Sequence, residues 1–361
     1  MEPIELTLKP TPIQKLQTLS RRYGCEIYLK RDDLLGVGFG GNKLRKLEYL
    51  LAEARSRQAK VIVTSGSLQT NHGMLTALTA SKMGMRCLLF LLIEESGEEK
   101  TLSGNLLLDD YSGCRVEFVD VAHIMEDSGL TVSEKDRLVQ EALDFHMETK
   151  IAEYVKEEGL SQTDVYVIRS AGSSPLGILG YVDCVREIRE QCSLEFDAVF
   201  CGSGSGGTYA GILLGAELYL PGTAVIGVAI EEMNPGKPEF IRDLIVQAAE
   251  LLSCSEAAAG IGRERIQILH DSVNLGYAVP DPETMAVIEE VARCEGVFLD
   301  PIYSGKVMNS VLKYVKSQRI REGAKILVLH SGGGAGLFNR NMIEYRNRKS
   351  EVIDRWNHDT D

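Results

Sequence analysis

The chain alternates between short apolar runs and longer stretches in which apolar residues recur every three or four positions. Each apolar run has the length of a strand and leads into small polar residues or glycines. The runs lie at 60–66, 86–93, 164–172, 196–207, 224–230 and 324–334. Strands that alternate with helices form parallel sheets in βαβ units, and the loops at their carboxyl ends carry function. The pattern therefore predicts an α/β fold.

One helical stretch, GFGGNKLRKLEYL at residues 38–50, begins with a glycine loop that runs directly into an apolar stripe of helical spacing. Gly40 and Gly41 are predicted to form the turn, and Asn42 is predicted to cap the helix. Lys43 then lies at the positive end of the helix dipole, which disfavours an ammonium ion. We therefore expect Lys43 to serve as an amine.

A second glycine loop, CGSGSGGTYAG, spans residues 201–211. Its glycines satisfy G-x-G-x-x-G between a predicted strand and a predicted helix, a pattern that binds either a dinucleotide or a single phosphate. The hydroxyl groups of Ser203, Ser205 and Thr208 favour a phosphate monoester. A tight strand-to-helix turn without a ligand is the alternative.

Two further segments carry polar groups next to predicted strands. The loop TSGSLQTNHG, residues 64–73, offers hydroxyl, amide and backbone donors that suit a carboxylate. Alternatively, Thr70 or Asn71 only caps the following helix. Tyr277 and Tyr303 lie in two later loops, but a single tyrosine is more often a packing residue than a catalytic one.

Composition narrows the functional classes. The 361 residues suffice for two domains, or for one large α/β unit with a smaller one attached. The net charge of −13 argues against nucleic acid as a partner. The longest apolar runs have the length of strands, and the N-terminus has no apolar signal segment, so no membrane span or secretion is expected. The eight scattered cysteines predict reduced thiols in a cytoplasmic protein and no metal site.

Taken together, these segments resemble pyridoxal-phosphate enzymes of fold type II, in particular the group of D-cysteine desulfhydrase and 1-aminocyclopropane-1-carboxylate deaminase. The motifs that carry the resemblance, in chain order, are KRDDLLGVGFGGNKLRKLEYL, SGSLQTNHG, SAGSSPLGILGY, GSGSGGTYAG, GYAVPD and LDPIYSGK. The resemblance runs from about residue 8 to residue 340, and GGNKxRKLEY is its most specific part. It implies a homodimer and a two-domain fold with parallel-rich twisted sheets flanked by helices. We expect a larger cofactor domain, residues 1–46 and 163–361, a smaller domain, residues 47–162, and an active site between them.

The resemblance also implies roles for individual residues. Lys43 would carry pyridoxal 5'-phosphate as a Schiff base, and Arg45 and Lys46 either add to the positive field or are solvated helix charges. The implied cofactor-binding residues are Lys43, Asn71, Ser205, Gly206, Gly207, Thr208 and Ser304. The implied catalytic residues are Lys43, Thr70, Tyr277 and Tyr303. The implied substrate-binding residues are Thr70, Asn71 and His72, of which His72 would meet the substrate carboxylate.

Two of these positions bear on the reaction. Deaminases of the group carry glutamate where this chain has Ser304, next to the cofactor's pyridine nitrogen. A neutral hydroxyl weakens the electron sink that ring opening needs, whereas β-elimination tolerates this weakening because its leaving group departs with the charge. The expected reaction is elimination of D-cysteine to pyruvate, ammonia and sulfide, with Lys43 or a tyrosine removing the α-proton. Thr70 replaces the family's serine, which leaves the substrate open.

Several alternatives stay open. Within the family, the substrate is another β-substituted alanine, such as cysteate, chloroalanine or a diamino acid, or else 1-aminocyclopropane-1-carboxylate. Outside the family, an NAD-dependent dehydrogenase would use the glycines of 202–207 but would leave Lys43 and the loop 64–73 without a role. A non-catalytic phosphate-binding module is the remaining alternative.

Overall fold

The fold is described from a computed structural model, which covers residues 2–97, 100–273 and 278–349. The strands within these ranges are β1 (Ile13–Lys15), β2 (Glu26–Lys30), β3 (Val61–Ser67), β4 (Arg86–Ile93), β5 (Arg115–Asp120), β6 (Val165–Val167), β7 (Ala198–Ser203), β8 (Ala224–Ala229), β9 (Gln267–Leu269) and β10 (Lys325–Leu329). The α-helices are α1 (Gln17–Tyr23), α2 (Lys43–Ser56), α3 (Asn71–Lys82), α4 (Gly104–Ser112), α5 (Ala122–Met125), α6 (Val132–Glu157), α7 (Pro175–Gln191), α8 (Gly207–Tyr219), α9 (Lys237–Leu251), α10 (Ser255–Ala259), α11 (Pro282–Glu295), α12 (Ser304–Lys316) and α13 (Arg340–Asn347).

The strands form two sheets. The larger has the order β1-β2-β10-β7-β8-β9, and the smaller has the order β5-β4-β3-β6. Neighbouring strands pair in parallel, except that β1 and β2 are antiparallel. Each apolar run singled out in the sequence contains a strand, and the predicted α/β fold with parallel-rich sheets is confirmed.

Both faces of the larger sheet are buried. On β10, Leu327 and Leu329 pack into one apolar cluster with α7 and α8, whereas Ile326 and Val328 pack into a second cluster with α11 and α12. Side chains of a strand point alternately to opposite faces, so a strand covered on both sides must be apolar along its length. This burial explains why the apolar residues of these strands form continuous runs instead of alternating with polar residues.

The smaller sheet takes its strands from the middle of the chain, between residues 61 and 167. The assignment of residues 47–162 to a separate domain stays a prediction. Strand β6 lies just beyond residue 162 and is hydrogen-bonded to β3 of the smaller sheet.

Helix α7 lies against both α2 and α8 and holds their first turns near each other. Gly180 of α7 makes the contact with α2, because a Cβ at this position would lie only 2.1 Å from the carbonyl oxygen of Arg45. Helix α2 begins at Lys43 and helix α8 begins at Gly207, each in one of the two glycine-rich segments identified in the sequence. The packing of α7 therefore brings the predicted amine and the predicted phosphate turn to one place.

Two findings concern the whole described chain. Among the described residues, no helix is both long enough and apolar enough to cross a bilayer. All eight cysteines lie in the described ranges, and none of them forms a disulfide.

Asp109 on α4 carries a buried carboxyl group that no hydrogen bond from the described residues satisfies. Its side chain is fully buried, and neither carboxylate oxygen has a hydrogen-bond partner within residues 2–97, 100–273 and 278–349. Burial raises the pKa of Asp109 from 3.8 to about 8. The folded protein therefore holds this group as the neutral acid at neutral pH, whereas the unfolded chain releases the proton above pH 4.

Asp109→Asn is expected to become progressively more stable than the wild type as the pH rises from 4 to 8. Between the unfolded and folded pKa values, unfolding releases the Asp109 proton, so each pH unit favours the unfolded wild type by up to about 1.4 kcal/mol. We expect the difference in free energy of unfolding between the variant and the wild type to change by roughly 5 kcal/mol in favour of the variant from pH 4 to pH 8, measured by urea denaturation. Asp110→Asn, at the exposed neighbour, serves as the control. A constant difference between Asp109→Asn and the wild type at all pH values would contradict this account.

Candidate active site

A cavity of about 240 Å³ lies where strands of both sheets end. Residues that follow β3, β4, β7, β8 and β10 contribute to its wall, the position at which parallel α/β sheets bind ligands. The sequence-predicted residues that line it are Lys43, Thr70, His72, Ser205, Gly206, Thr208 and Tyr303. Asn71, Gly207 and Ser304 are not lining residues, and the predicted catalytic Tyr277 lies outside the described residues.

Lys43 is the first residue of α2 and is nearly buried, with 9% of its surface exposed. Burial lowers the pKa of its ammonium group from 10.5 to about 8. A substantial fraction of the lysine is therefore a neutral amine slightly above neutral pH, which is the form that attacks a carbonyl. Desolvation by burial is the cause of this lowering, whereas the prediction from the sequence depends on the helix dipole.

The predicted cap at Asn42 is wrong. Asn42 has helical backbone angles, and its side chain makes no capping hydrogen bond to α2. Instead, its Nδ2 donates to Oγ1 of Thr208, 2.9 Å away at the start of α8. The side chain of Asn42 thus connects the segment that carries Lys43 to the glycine turn before α8, instead of capping α2. Gly40 and Gly41 do form the predicted turn, with φ values of 67° and 123°.

The glycine turn presents an uncapped helix N-terminus to the cavity. Gly206 has a φ of 85°, α8 starts at Gly207, and no side chain caps this helix. The first backbone N–H groups of a helix attract anions when no side chain satisfies them. Ser205 adds a hydroxyl group that lies 2.8 Å from the hydroxyl group of Ser173.

Lys46 lies directly behind this turn. Its side chain is fully buried, and Nζ donates to the carbonyl oxygen of Ala171 at 3.2 Å and to Oγ of Ser173 at 3.3 Å. Burial, with a further contribution from Lys43, holds the pKa of Lys46 well below its ordinary value. An anion at the turn would stabilise the charged form of Lys46. The sequence signal that places Lys46 at the site is its helical spacing, because Lys46 lies one turn after Lys43 on the same side of α2.

The loop between β3 and α3 positions Thr70 and His72. Thr70 caps α3, because its hydroxyl group accepts a hydrogen bond of 3.2 Å from the backbone N–H of Gly73. Thr70 therefore does cap α3, but it also lines the cavity, so the cap does not exclude the predicted contact with the substrate. As an acceptor from Gly73, the hydroxyl group keeps its own proton for donation.

His72 is neutral and is held in one tautomer. The hydroxyl group of Thr64 donates to the carbonyl oxygen of Ile168 at 2.8 Å, so Nε2 of His72, 2.9 Å from the same hydroxyl group, must be the donor of that pair. Burial holds the pKa of His72 well below 6.5, and the charges of Lys43 and Lys46 lower it further. His72 therefore carries no positive charge that could pair with a carboxylate.

Ser304 is committed to a local turn. Its hydroxyl group donates to Oδ1 of Asp300 at 2.6 Å and accepts from the backbone N–H of Asp300 at 2.8 Å, and 1% of the residue is exposed. The Asp300 carboxylate also accepts from the backbone N–H groups of Ile302 and Tyr303. Neither Ser304 nor Asp300 lines the cavity, whereas Ser331 after β10 does.

Asn71 is oriented by its neighbour. Nδ2 of Asn105 donates to Oδ1 of Asn71 at 2.7 Å, which leaves the Nδ2 of Asn71 as the group available to donate elsewhere. This nitrogen lies 3.0 Å from the position of a Cβ on Gly333. Asn71 is therefore a hydrogen-bond donor next to the loop that follows β10.

The buried amine of Lys43 and the uncapped N-terminus of α8 lie at one cavity. An amine can bond to a carbonyl group and a helix N-terminus can bind a phosphate, so the site is typical of an enzyme that binds a phosphorylated carbonyl compound. The chain belongs to the family described as "Pyridoxal-phosphate dependent enzyme", whose sequence pattern matches residues 4–332. This match confirms the predicted family and cofactor and removes the dehydrogenase and the non-catalytic module as alternatives.

Similar proteins indicate which group within this family the chain resembles. A Pyrococcus horikoshii protein, provisionally named 1-aminocyclopropane-1-carboxylate deaminase, is 37% identical over 93% of this chain and 93% of its own length. The D-cysteine desulfhydrase of Serratia proteamaculans is 35% identical over 93% of this chain and 94% of its own. A crystal structure of an "ACC deaminase homologue" is 34% identical, covers 96% of this chain and 94% of its own, and gives a TM-score of 0.77. The predicted enzyme group is thus confirmed.

The residues present fit the cofactor. Its aldehyde requires an amine, which Lys43 supplies. Its phosphate requires hydrogen-bond donors, which the uncapped N-terminus of α8 supplies. A Cβ on Gly207 would lie 2.4 Å from Oγ of Ser173 and 2.8 Å from Nζ of Lys46, so a larger residue at this position would require these side chains to move away from the turn. The anion site and the amine belong to one cavity, as a molecule that carries both an aldehyde and a phosphate requires.

Proposed function

We propose that this protein is a carbon–sulfur lyase that converts D-cysteine and water to pyruvate, ammonia and hydrogen sulfide. A closely related β-substituted alanine is the alternative substrate. The Serratia proteamaculans relative supports the activity by its name, D-cysteine desulfhydrase. The observation that carries the choice of elimination is the position of Ser331 in the cavity wall, together with the hydrogen bonds that use the Asp300 carboxylate and the Ser304 hydroxyl group within one turn.

The cofactor would be held by Lys43 at its aldehyde and by the turn of Ser205, Gly206, Gly207 and Thr208 at its phosphate, with Lys46 behind that turn. Asn71 is proposed to donate to its phenolate oxygen. The sequence resemblance assigned Ser304 to the pyridine nitrogen, but its single proton is used by Asp300. We therefore propose Ser331 as the neutral hydroxyl group at that end of the cavity.

The substrate carboxylate is proposed to bind at the N-terminus of α3. The hydroxyl group of Thr70 keeps a proton to donate, and the positive end of the α3 dipole favours an anion. His72, being neutral, would contribute hydrogen bonding and shape rather than charge. When bound, the cofactor supplies the electron sink for the carbanion.

Lys43 is proposed to remove the α-proton, because an amine whose pKa is about 8 accepts a proton well near neutral pH. Tyr303 lines the same cavity and is the second candidate for this step. The crevice between the sheets would keep water from the reacting carbon until the leaving group has departed.

Gly207→Ala is expected to weaken cofactor binding by about tenfold or more, because the new methyl group would displace Ser173 or Lys46 from the turn. The measurement is the dissociation constant for pyridoxal phosphate, followed by the visible absorbance of the bound cofactor. Gly334→Ala is the matched control, since a Cβ there meets nothing within 4 Å. Equal affinity in Gly207→Ala and the wild type would contradict the proposed phosphate site.

We also propose that the protein is a cytoplasmic homodimer. Large apolar side chains are exposed around the loop that precedes Lys43, including Leu8, Leu34 and Phe39, and Phe298 is also exposed. Surface of this kind is often covered by a second copy in an oligomer. Sedimentation equilibrium tests the proposal, and a monomer at micromolar concentration would exclude it.

The proposed reaction is tested by sulfide and pyruvate release from cofactor-loaded protein, with D-cysteine and L-cysteine compared. D-selective release of both products in equal amounts is the expected result. Ring opening of 1-aminocyclopropane-1-carboxylate, which the name of the Pyrococcus horikoshii relative supports, would instead yield 2-oxobutanoate. Turnover of that compound without sulfide release from D-cysteine would replace the proposed function by deamination.

A further inference from the structure

Asn105, the second residue of α4, makes two side-chain hydrogen bonds with the loop that leads into α3. Its Nδ2 lies 2.8 Å from the backbone carbonyl oxygen of Gln69 and 2.7 Å from Oδ1 of Asn71. Asn105 is 1% exposed, so both bonds are shielded from water. Helix α4 follows β4 of the smaller sheet, whereas Nδ2 of Asn71 lies next to Gly333, after β10 of the larger sheet. Asn105 therefore reaches from the smaller sheet to the amide that faces the larger one.

The backbone carbonyl group of Gln69 fixes the orientation of both amides. A carbonyl oxygen only accepts hydrogen bonds, so the Asn105 atom beside it must be the nitrogen. The second N–H of that nitrogen points at Asn71, so the Asn71 atom beside it must be the oxygen. Nδ2 of Asn71 is thereby turned away from Asn105 and toward the loop that follows β10. The orientation of Asn71 is thus imposed by Asn105.

The side chain of Gln69 holds Asn105 in place as well. Its Oε1 accepts from the backbone N–H of Asn105 at 2.9 Å, and its Nε2 donates to the carbonyl oxygen of Ser103 at 3.1 Å. Gly104, between these two residues, has a φ of 53°, and a Cβ there would lie 2.4 Å from Oε1 of Gln69. The start of α4 is therefore fixed to the loop that carries Asn71, and Asn105 has little freedom to turn.

We infer that Asn105 is a positioning residue for the cofactor, because it turns the Asn71 amide so that a donor and not an acceptor meets the phenolate oxygen. This inference rests on the proposed function, which places Asn71 at that oxygen. An N–H group stabilises the negatively charged oxygen, whereas the carbonyl oxygen of a reversed amide would repel it. Asn105 does not line the cavity and so acts only through Asn71.

Asn105→Asp changes the hydrogen bonding at nearly constant shape. A carboxyl group offers at most one proton, and a carboxylate offers none, so the oxygens of Gln69 and Asn71 can no longer both find a donor. The Asn71 amide then gains by reversing, because its Nδ2 can donate to the new carboxyl group. Reversal presents Oδ1 of Asn71 to the phenolate oxygen of the cofactor.

The test compares the binding of pyridoxal phosphate with that of its 3-deoxy analogue, which lacks the phenolate oxygen. Both dissociation constants are measured by equilibrium dialysis, and the ratio of the analogue's constant to that of pyridoxal phosphate isolates the effect of this oxygen. A hydrogen bond to a charged group changes an equilibrium by roughly tenfold to a hundredfold. We expect Asn105→Asp and Asn71→Ala each to lower the ratio by at least about tenfold. General damage to the fold would weaken both compounds equally and leave the ratio unchanged.

Asn105→Leu provides a second variant that removes both N–H groups without adding an acid. It is expected to lower the ratio about fivefold, the effect of one neutral hydrogen bond, and thus less than Asn105→Asp does. Asn309→Asp is the matched control, because Asn309 is a buried amide on α12 that does not line the cavity. The control is expected to keep the wild-type ratio.

A wild-type ratio in the Asn105 variants that fold, or in Asn71→Ala, would overturn the inference. Equal weakening of both compounds by Asn105→Asp would overturn it as well, because that result assigns Asn105 a purely structural role. The ratio requires no turnover. Sulfide release from D-cysteine by the wild type therefore reports separately on the proposed function, and the two failures are distinguishable.

Discussion

Lys43→Ala is expected to lower kcat/KM for elimination by at least about 10³-fold, because the variant loses both the amine that holds the cofactor and the proposed base for the α-proton. The visible absorbance of the bound cofactor should disappear from the purified protein. Both quantities are measured on the wild type and the variant after loading with pyridoxal phosphate. Lys60→Ala removes an exposed lysine and serves as the control. A Lys43→Ala protein that retains the absorbance and eliminates normally would refute the role of Lys43.

A buried network of charges holds Lys43 in place. Arg45 binds the Asp32 carboxylate through two hydrogen bonds of 2.8 Å, and it binds Glu187 through two more of 2.9 and 3.0 Å. The backbone carbonyl oxygen of Asp32 accepts from the N–H of Gly41 at 2.8 Å. Asp32 therefore fixes the chain on both sides of Lys43, two residues before it and two residues after it.

Asp32→Asn is expected to destabilise the protein by about 3 kcal/mol, because Arg45 would stay buried with one of its two anionic partners neutralised. Burial alone would raise the pKa of Asp32, but Arg45 holds it below its ordinary value, so the wild type has an ionised pair to lose. The measurement is the shift of the urea unfolding curve at pH 7. The fraction of bound cofactor should fall as well, because the segment around Lys43 loses its anchor.

Glu141→Gln is the control for this prediction, since it removes one partner of an exposed pair with Arg137 on α6. Exposed pairs contribute about 0.5 kcal/mol or less. If Asp32→Asn is no more destabilising than Glu141→Gln, the buried network does not stabilise the segment that carries Lys43.

Local sequence was sufficient for six of the ten strands in the described residues and for the loops that follow them. Apolar runs of strand length led to the two parallel sheets, and the glycine-rich segments led to the lysine and the phosphate turn. Strands β1, β2, β5 and β9 were not predicted, because a run of three to six residues cannot be distinguished from part of a helix or loop by periodicity.

The errors and omissions at the site arise from contacts between distant parts of the chain. Asn42 has the identity of a cap, but Thr208, 166 positions away, takes its side chain. Arg45 has the spacing of a solvated helix charge, but its partners lie at Asp32 and Glu187. Nothing in the local sequence distinguishes Ser331, which lines the cavity, from Ser304, which does not.

The cavity that contains Lys43 is the proposed cofactor site. Borohydride reduction of the cofactor-loaded protein, followed by peptide mass mapping, fixes the cofactor on the amine to which it is bonded and so tests this claim most directly. We predict a single modified peptide that carries the added mass on Lys43. Modification of Lys46, Lys306 or a surface lysine instead, with Lys43 unmodified, would contradict the account.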